Sequence, residues 1–568
     1  MKSRRWLLVV GLLVVGFAVA AAACAGSEEP GAPGDGVTST ASVAEVPRSV
    51  LECPQGPPSA DTPLYGGTLT IIANDAPANL GAWWDTVGFA DKQLSRFAVE
   101  NLVGLNDRAQ PVPQLATSWE VDDVGMTITF HLREGVKFHD GTDFNAEAVK
   151  WNLDMQKNGP KAELKDVTAI EVVDPYTVRL ALSQMDPLFV QKLSSLTLGK
   201  MTSPAAYELY GPEEIKLHPV GTGPFKFDSY APDVVLKFTK FEDYWQEGLP
   251  YLDGVNIQLI ADATTALMAF KRGEGQVLRH MTVDSADELV AEGNTVEARL
   301  MAMWSLAGDS DNPDSPASDI RVRRALAYAI DSQMITAAVW DGYCPATNQL
   351  AVEGVSAYNP AIKGYAYDPV KAKALLAEVG ITPETPWKTT LRYITDPDRT
   401  DFFTVVQEQL AAVGIEVTLE PISYAAMNQL NAEGWDGLVG FNFPYNMEMP
   451  YSSVLQQFLC KDAYMKGSLW IPDEFDAAYR AMLTESDMAQ REAAYQELNR
   501  MAVDDFCIVA PLFGLTGVIA LSPDIHDSGF CVKCSAEFLP ERAWLSGGST
   551  TEPGASGAGA ATTGTSAD

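Results

Sequence analysis

Histidine is scarce, with 5 in 568 residues. So few imidazoles weigh against a metalloenzyme, and no metal or cofactor is expected. Positive charge is also short: Lys and Arg total 40 against 75 Asp and Glu, a formal net charge of −35. A surface that acidic repels polyanions, which excludes nucleic acid and an anionic membrane surface as partners held by charge. Only one apolar run approaches membrane-spanning length, so a multi-span membrane protein is excluded. Catalytic signatures are missing as well: there is no GxSxG elbow, SxxK pair, HExxH or GxxxxGK[ST]. Gly221-Thr222-Gly223-Pro224 lacks the lysine of a phosphate cradle and reads as a tight turn entering a strand at Phe225 and Phe227. His139-Asp140 reads as the entry to a turn at Asp140-Gly141 rather than an acid–base pair. No internal repeat of a solenoid is visible.

What is present is globular. Apolar residues make up 46% and charged residues 20%, enough for a large core. Lys2, Arg4 and Arg5 precede an apolar run from Trp6 to Ala23, and Cys24 follows four alanines. Residues 1–23 therefore read as a signal peptide, and the cysteine at the cut predicts a lipoprotein anchored through Cys24. Plain secretion and an uncleaved anchor are the alternatives. With Cys24 lipidated, 24–63 is a flexible tether rich in Gly, Pro, Ala and Ser, and 546–568 is a tail expected to be disordered. Six of the 7 cysteines remain: Cys53, Cys344, Cys460, Cys507, Cys531 and Cys534. An even number in an exported chain suggests structural disulfides, with about 15 possible pairings. Cys531-x-x-Cys534 has no second pair or histidines to complete a zinc site.

The body alternates strand and helix patterns. Met126, Ile128, Phe130 and Leu132 alternate with polar residues, as do Val255, Ile257 and Leu259. Asp319 to Asp331 predicts a helix burying Val322, Ala325, Leu326, Ala329 and Ile330. Asp368-Pro369 opens another as N-cap and first position, with Gly380 closing it. A helix over 401–413 ends at Gly414 and leads into a strand at Ile415, Val417 and Leu419. Further helices are expected near 474–483 and 489–503. This mixture predicts α/β layers.

Several motifs then occur in a fixed order. Trp119-Glu120 leads to Gly125-Met-Thr127-Ile-Thr-Phe130-His-Leu132-Arg133-Glu-Gly135-Val136-Lys-Phe138-His139-Asp140-Gly141-Thr142, and Phe144-Asn145-Ala146-Glu147-Ala148-Val149 follows. Next come Gly221-Thr-Gly223-Pro224-Phe225, Tyr251-Leu252-Asp253-Gly254-Val255, Arg321-Val322-Arg323-Arg324-Ala325-Leu326 and Tyr367-Asp368-Pro369. Gln409-Leu410 with Gly414-Ile415 completes the series. The chain thereby resembles the family 5 bacterial extracellular solute-binding proteins, which hold oligopeptide-, dipeptide- and nickel-binding components of ABC importers. Ala148 stands where an Asp is usual.

The resemblance implies an α/β, two-lobed clamp of the periplasmic-binding-protein type II, with an extra subdomain in lobe one. Lobe one would be 64–303 with the subdomain at about 97–215, lobe two 304–509, and 510–545 a return to lobe one. It implies no enzyme activity, a monomer, a solute held between the lobes, and delivery to permease subunits driven by a cytoplasmic ATPase at the membrane. Candidate ligand contacts are Trp83, Trp84 and Trp304, together with Phe441, Asn442, Phe443, Tyr445, Asn446, Met447 and Glu448. Aromatic faces supply large contact area there. Peptide-binding relatives carry an Asp for the α-amino group in that last segment. Here it is missing, and Glu448 is the nearest replacement. An oligopeptide is the expected solute; an oligosaccharide or other polar solute is the alternative, and nickel is disfavoured by the few histidines. A ligand sensor on the same scaffold is the competing role.

Overall fold

The computed structural model describes residues 62–547, except 86–88, 106–110, 123, 160–163, 165, 185–188, 195–196, 354–356, 395–400, 445–450, 464, 486 and 529–539. The architecture is mixed α/β in two lobes. A 10-stranded sheet runs through both. From one edge its strands are Ile415–Ile422, Trp387–Ile394, Leu438–Pro444, Thr295–Gly308, Ala510–Leu521, Val277–Met281, Thr68–Ala73, Gly254–Leu259, Val235–Lys240 and Phe225–Ala231. Thr68–Ala73 is parallel to both Gly254–Leu259 and Val277–Met281. Clusters of buried side chains cover both faces of Thr68–Ala73. Leu69, Ile71 and Ala73 join Trp83, Phe97, Val255 and Ile257 on one face. Ile72 joins Ala266, Phe270, Leu278 and Leu289 on the other.

A separate 4-stranded antiparallel sheet has the order Ala116–Asp122, Thr127–Leu132, Thr177–Leu182, Val167–Asp174. Ile128, Phe130 and Leu132 pack with Phe138, Phe144, Val149 and Leu153, the last two from the helix Ala146–Asn158. Asn145 caps that helix by accepting from the Ala148 N–H at 3.1 Å. The expected strand began at Met126. Met126 instead takes φ 53 and is 40% exposed, because it sits in the hairpin turn that reverses the chain into Thr127.

The other half of the large sheet carries its own two layers. The helix Ile320–Ala329 is capped by Asp319, and its Val322, Ala325 and Leu326 pack with Leu391, Phe402 and Phe513. Asp368 caps Pro369–Ala377, accepting from the Lys371 N–H at 2.9 Å. Gly380 and Gly414 adopt φ 82 and 103 beyond the two helix ends, conformations glycine reaches without strain. Helices Asp401–Val413, Asp473–Leu483 and Met488–Arg500 form where the apolar period predicts them. The cysteines correct one expectation. Cys460 and Cys507 are buried free thiols, in two different core clusters. They behave as small hydrophobes, and burial pushes both thiols up to about 11. Cys344 is also buried, its sulfur 3.4 Å from Thr516 Oγ1. Cys24, Cys53, Cys531 and Cys534 lie outside the described residues. No described helix is long and apolar enough to cross a membrane.

Candidate functional site

Two long antiparallel strands, Thr295–Gly308 and Ala510–Leu521, join the halves of the sheet. Thr295–Leu300 pairs with Leu521–Thr516, whose other edge carries Val277–Met281. Ala302–Gly308 pairs instead with Pro444–Leu438 as well as Leu515–Ala510. Between these stretches the register slips at Leu300/Ala302 and again at Trp304/Ser305. Such bulges bend a strand and increase its twist.

Trp304 stands directly opposite Asn442 in this ladder, so their side chains share a face. Trp304 packs edge-on against Phe402 and Phe403, with centroids 5.7 and 5.6 Å away. Its buried indole N–H has no acceptor among the described residues. Asn442 is half-buried. Phe441 and Phe443 point to the opposite face, each 1% exposed, against Phe458. Strand alternation thus divides this candidate segment: the two phenylalanines fill the core, a correction to their reading as solute contacts. Trp83 is corrected likewise. It is fully buried beside Leu94 and Phe97, with the Lys200 ammonium 4.8 Å from its ring centroid. Trp84 is half-buried and meets Trp151 and Tyr207 edge-on at 5.3 and 5.6 Å. The structure therefore joins Trp304, Phe441, Asn442 and Phe443 on adjacent strands and leaves Trp83 and Trp84 among other elements. Tyr445, Asn446, Met447 and Glu448 lie outside the described residues.

The Gly-Thr-Gly and His-Asp motifs are explained by packing. A Cβ on Gly221 would lie 2.3 Å from the Ala98 carbonyl oxygen, and one on Gly223 2.7 Å from the Ala98 carbonyl carbon. Only glycines admit this approach, which delivers Thr222 Oγ1 to Glu100 Oε2 at 2.7 Å. Tyr244 and Trp245 also donate to Glu100. Burial nevertheless pushes the Glu100 carboxyl up to about 7, the hydrogen bonds opposing it. His139 donates from Nε2 to the Gly223 carbonyl at 2.8 Å, and burial pushes its pKa down to about 4. Asp140 accepts from Ser203 Oγ at 2.5 Å and from Thr142. Both residues are tied into turns by these bonds.

A second set of charged groups escaped the sequence reading. Arg96 lies in the short turn Ser95–Phe97 and Arg279 in the strand Val277–Met281; both are half-buried. Loss of water pulls both guanidinium groups down to about 10, and the Arg279 charge adds to the effect on Arg96. Glu541 lies near enough to Arg96 to oppose that fall, while its own carboxyl is pushed up by burial. Glu297, on the crossing strand, is pushed up to about 7 by burial alone. The available signal was a charged residue inside an apolar strand, as at Arg279 and Glu297.

A family model described as Bacterial extracellular solute-binding proteins, family 5 Middle, matches residues 110–463. The chain belongs to that family. It is a family of solute-binding proteins and not of enzymes, in keeping with the tied His139 and Asp140. Glutathione-binding protein GsiB of Escherichia coli (strain K12) is 36% identical over 351 residues, 59% of this chain and 65% of that protein. The match thus spans just under two thirds of the length of these curated relatives. HbpA2 from Haemophilus parasuis superposes with TM-score 0.74 at 22% identity, covering 84% of this chain and 100% of that one. DppA from Helicobacter pylori, in complex with peptide STSA, gives TM-score 0.70 at 22% identity, covering 85% and 98%. These structural likenesses establish the two-lobed fold.

Proposed function

We propose that this family member is the extracytoplasmic binding component of an ABC importer, and that it captures an oligopeptide between its lobes. The observation that carries the reading is the pair of crossing strands, slipped in register at Leu300/Ala302, within a chain of this family. Lobe one comprises 64–303 and the return 510–545, lobe two 304–509, with the hinge in those two strands. A solute touching both lobes favours the closed form by its differential affinity alone; about 5.5 kcal/mol moves a 1:99 mixture to 99:1. The closed form is what the permease and its ATPase receive. Peptide is favoured over sugar because DppA is complexed with a peptide and GsiB is named for glutathione.

In this reading Trp84, Trp304 and Asn442 border the solute, and Tyr445, Asn446, Met447 and Glu448 are further proposed contacts. The open indole N–H of Trp304 supports its place: a buried unpaired donor costs about 1–3 kcal/mol, which a solute acceptor offsets. Lipid on Cys24 holds the acidic protein at the outer face of the membrane as a monomer. Native mass spectrometry of the purified protein tests the reading, with a co-purifying peptide mass as the expected result. Thermal shift by neutral oligosaccharides with none from peptide pools would overturn the peptide assignment. Cys24→Ser should release the protein from the membrane fraction; retention there refutes the anchor.

A further inference from the structure

We propose that the segment 343–347 is a strap across the hinge, beside the two crossing strands, and that the bond from Tyr343 to Asp287 restrains how lobe two moves on lobe one. The proposal rests on the clamp reading above and adds a restraint to its hinge.

The burial of Tyr343 points to such a strap. Its side chain is 6% exposed and lies in a core cluster with Ile72, Phe270, Leu278, Leu289 and Val518. Every other buried member of that cluster comes from 72–296 or 518–520, on the lobe-one side of the register slip. The chain on either side of Tyr343 packs elsewhere. Trp340 ends the helix Ser332–Trp340 and meets Phe513 and Phe402 at centroid distances of 4.8 and 5.5 Å. Cys344 belongs to the same cluster as Trp340 and Phe402. Between them Asp341 and Gly342 take φ 49 and 81. A left-handed non-glycine residue such as Asp341 persists where its surroundings require it. The turn lifts a single ring out of the lobe-two cluster and seats it in that of lobe one.

Hydrogen bonds carry the segment past the slip. The Tyr343 carbonyl accepts from Thr516 Oγ1 at 2.8 Å, and Thr516 pairs with Leu300. The Pro345 carbonyl accepts from the Gly514 N–H at 2.8 Å, and the Thr347 N–H donates to the Leu512 carbonyl at 3.1 Å. Ala346 forms an antiparallel bridge with Phe513. Residues 343–347 thus follow the strand Ala510–Leu521 from one side of Leu300/Ala302 to the other. They take the edge of that strand whose other end pairs with Val277–Met281. A two-stranded ribbon twists more than a wider sheet, so a further segment along the slip stiffens it. The lobe-one end of the strap is pinned by the Tyr343 hydroxyl, which donates to Asp287 Oδ1 at 3.3 Å on the first turn of Ala286–Ala291. Movement of the lobes about the slip therefore acts on this bond.

Pulsed electron resonance on the solute-free full-length protein tests the strap. Spin labels on keto-bearing residues at positions 234 and 370 leave the native thiols untouched; Val234 in lobe one and Val370 in lobe two are both exposed. Tyr343→Phe keeps the ring and loses the bond, and it should broaden the distribution of interlobe distances. Asp287→Ala, at an exposed position, should broaden it equally, and the double variant no further than either alone. Asp287→Asn keeps an acceptor oxygen and should retain the parent width. An unchanged width in either loss variant would overturn the strap, as would equal broadening by Asp287→Asn. Tripeptides that bind yet leave the parent's mean distance unmoved would sink the clamp reading, while the solute-free widths still decide the strap.

Discussion

Glu297 carries its carboxyl inside the sheet with one oxygen, Oε2, that accepts no hydrogen bond among the described residues. Burial holds the group at about 7, so the folded protein keeps the proton that the unfolded chain sheds near 4.5. The folded state therefore binds more protons than the unfolded one between those values, and stability falls as pH rises through that window. Glu297→Gln is neutral throughout. It should match the parent below pH 4 and exceed it by about 3 kcal/mol at pH 8, read from urea midpoints. Parallel curves across that range would show the carboxyl to be ionised in the fold. A second residue-level contrast separates packing from recognition. Phe443→Ala should lower stability by about 3–5 kcal/mol, since its ring is 1% exposed among Phe441 and Phe458. Asn442→Ala, on the opposite face, should change stability by less than about 1 kcal/mol and weaken solute binding instead. In sequence the two neighbours look alike as candidates; only pairing to Thr295–Gly308 assigns their faces.

Elements were legible wherever a local signal fixed them. Asp368-Pro369 is a cap in sequence and a cap in the fold, and Asp368→Ala should lower stability by about 1 kcal/mol in the same titration. The Gly221 turn was legible as a turn, but its reason was not. Glycine is required there by the backbone at Ala98, 123 residues earlier in the chain, which no local pattern reports. Gly221→Ala places a Cβ 2.3 Å from that carbonyl and should cost about 1–3 kcal/mol, with a lower thermal midpoint as the readout. An unchanged midpoint would mean the loop moves freely off Ala98. Met126 marks the limit from the other side. Its alternation fits a strand, yet the hairpin turn takes it to φ 53.

For the molecule as a whole, the proposed clamp makes hinge motion and solute binding one equilibrium. A solute at about 100 times its Kd should stabilise the protein by about 2.7 kcal/mol. Small-angle scattering should show the radius of gyration contract on saturation, while a ligand that touches one lobe alone should stabilise without contraction. The charge of −35 is at this scale a property of the solvated exterior.

The sequence by itself determined the elements with a strong local signal, the Asp368 cap, the α/β class and the family. All of these are written in periodicity, capping chemistry and ordered motifs within short windows. Only the tertiary structure decided which of the candidate rings are buried in the core. Those outcomes depend on pairing between distant strands, as where Trp304 stands opposite Asn442, and sheet register sets the face of every residue it aligns.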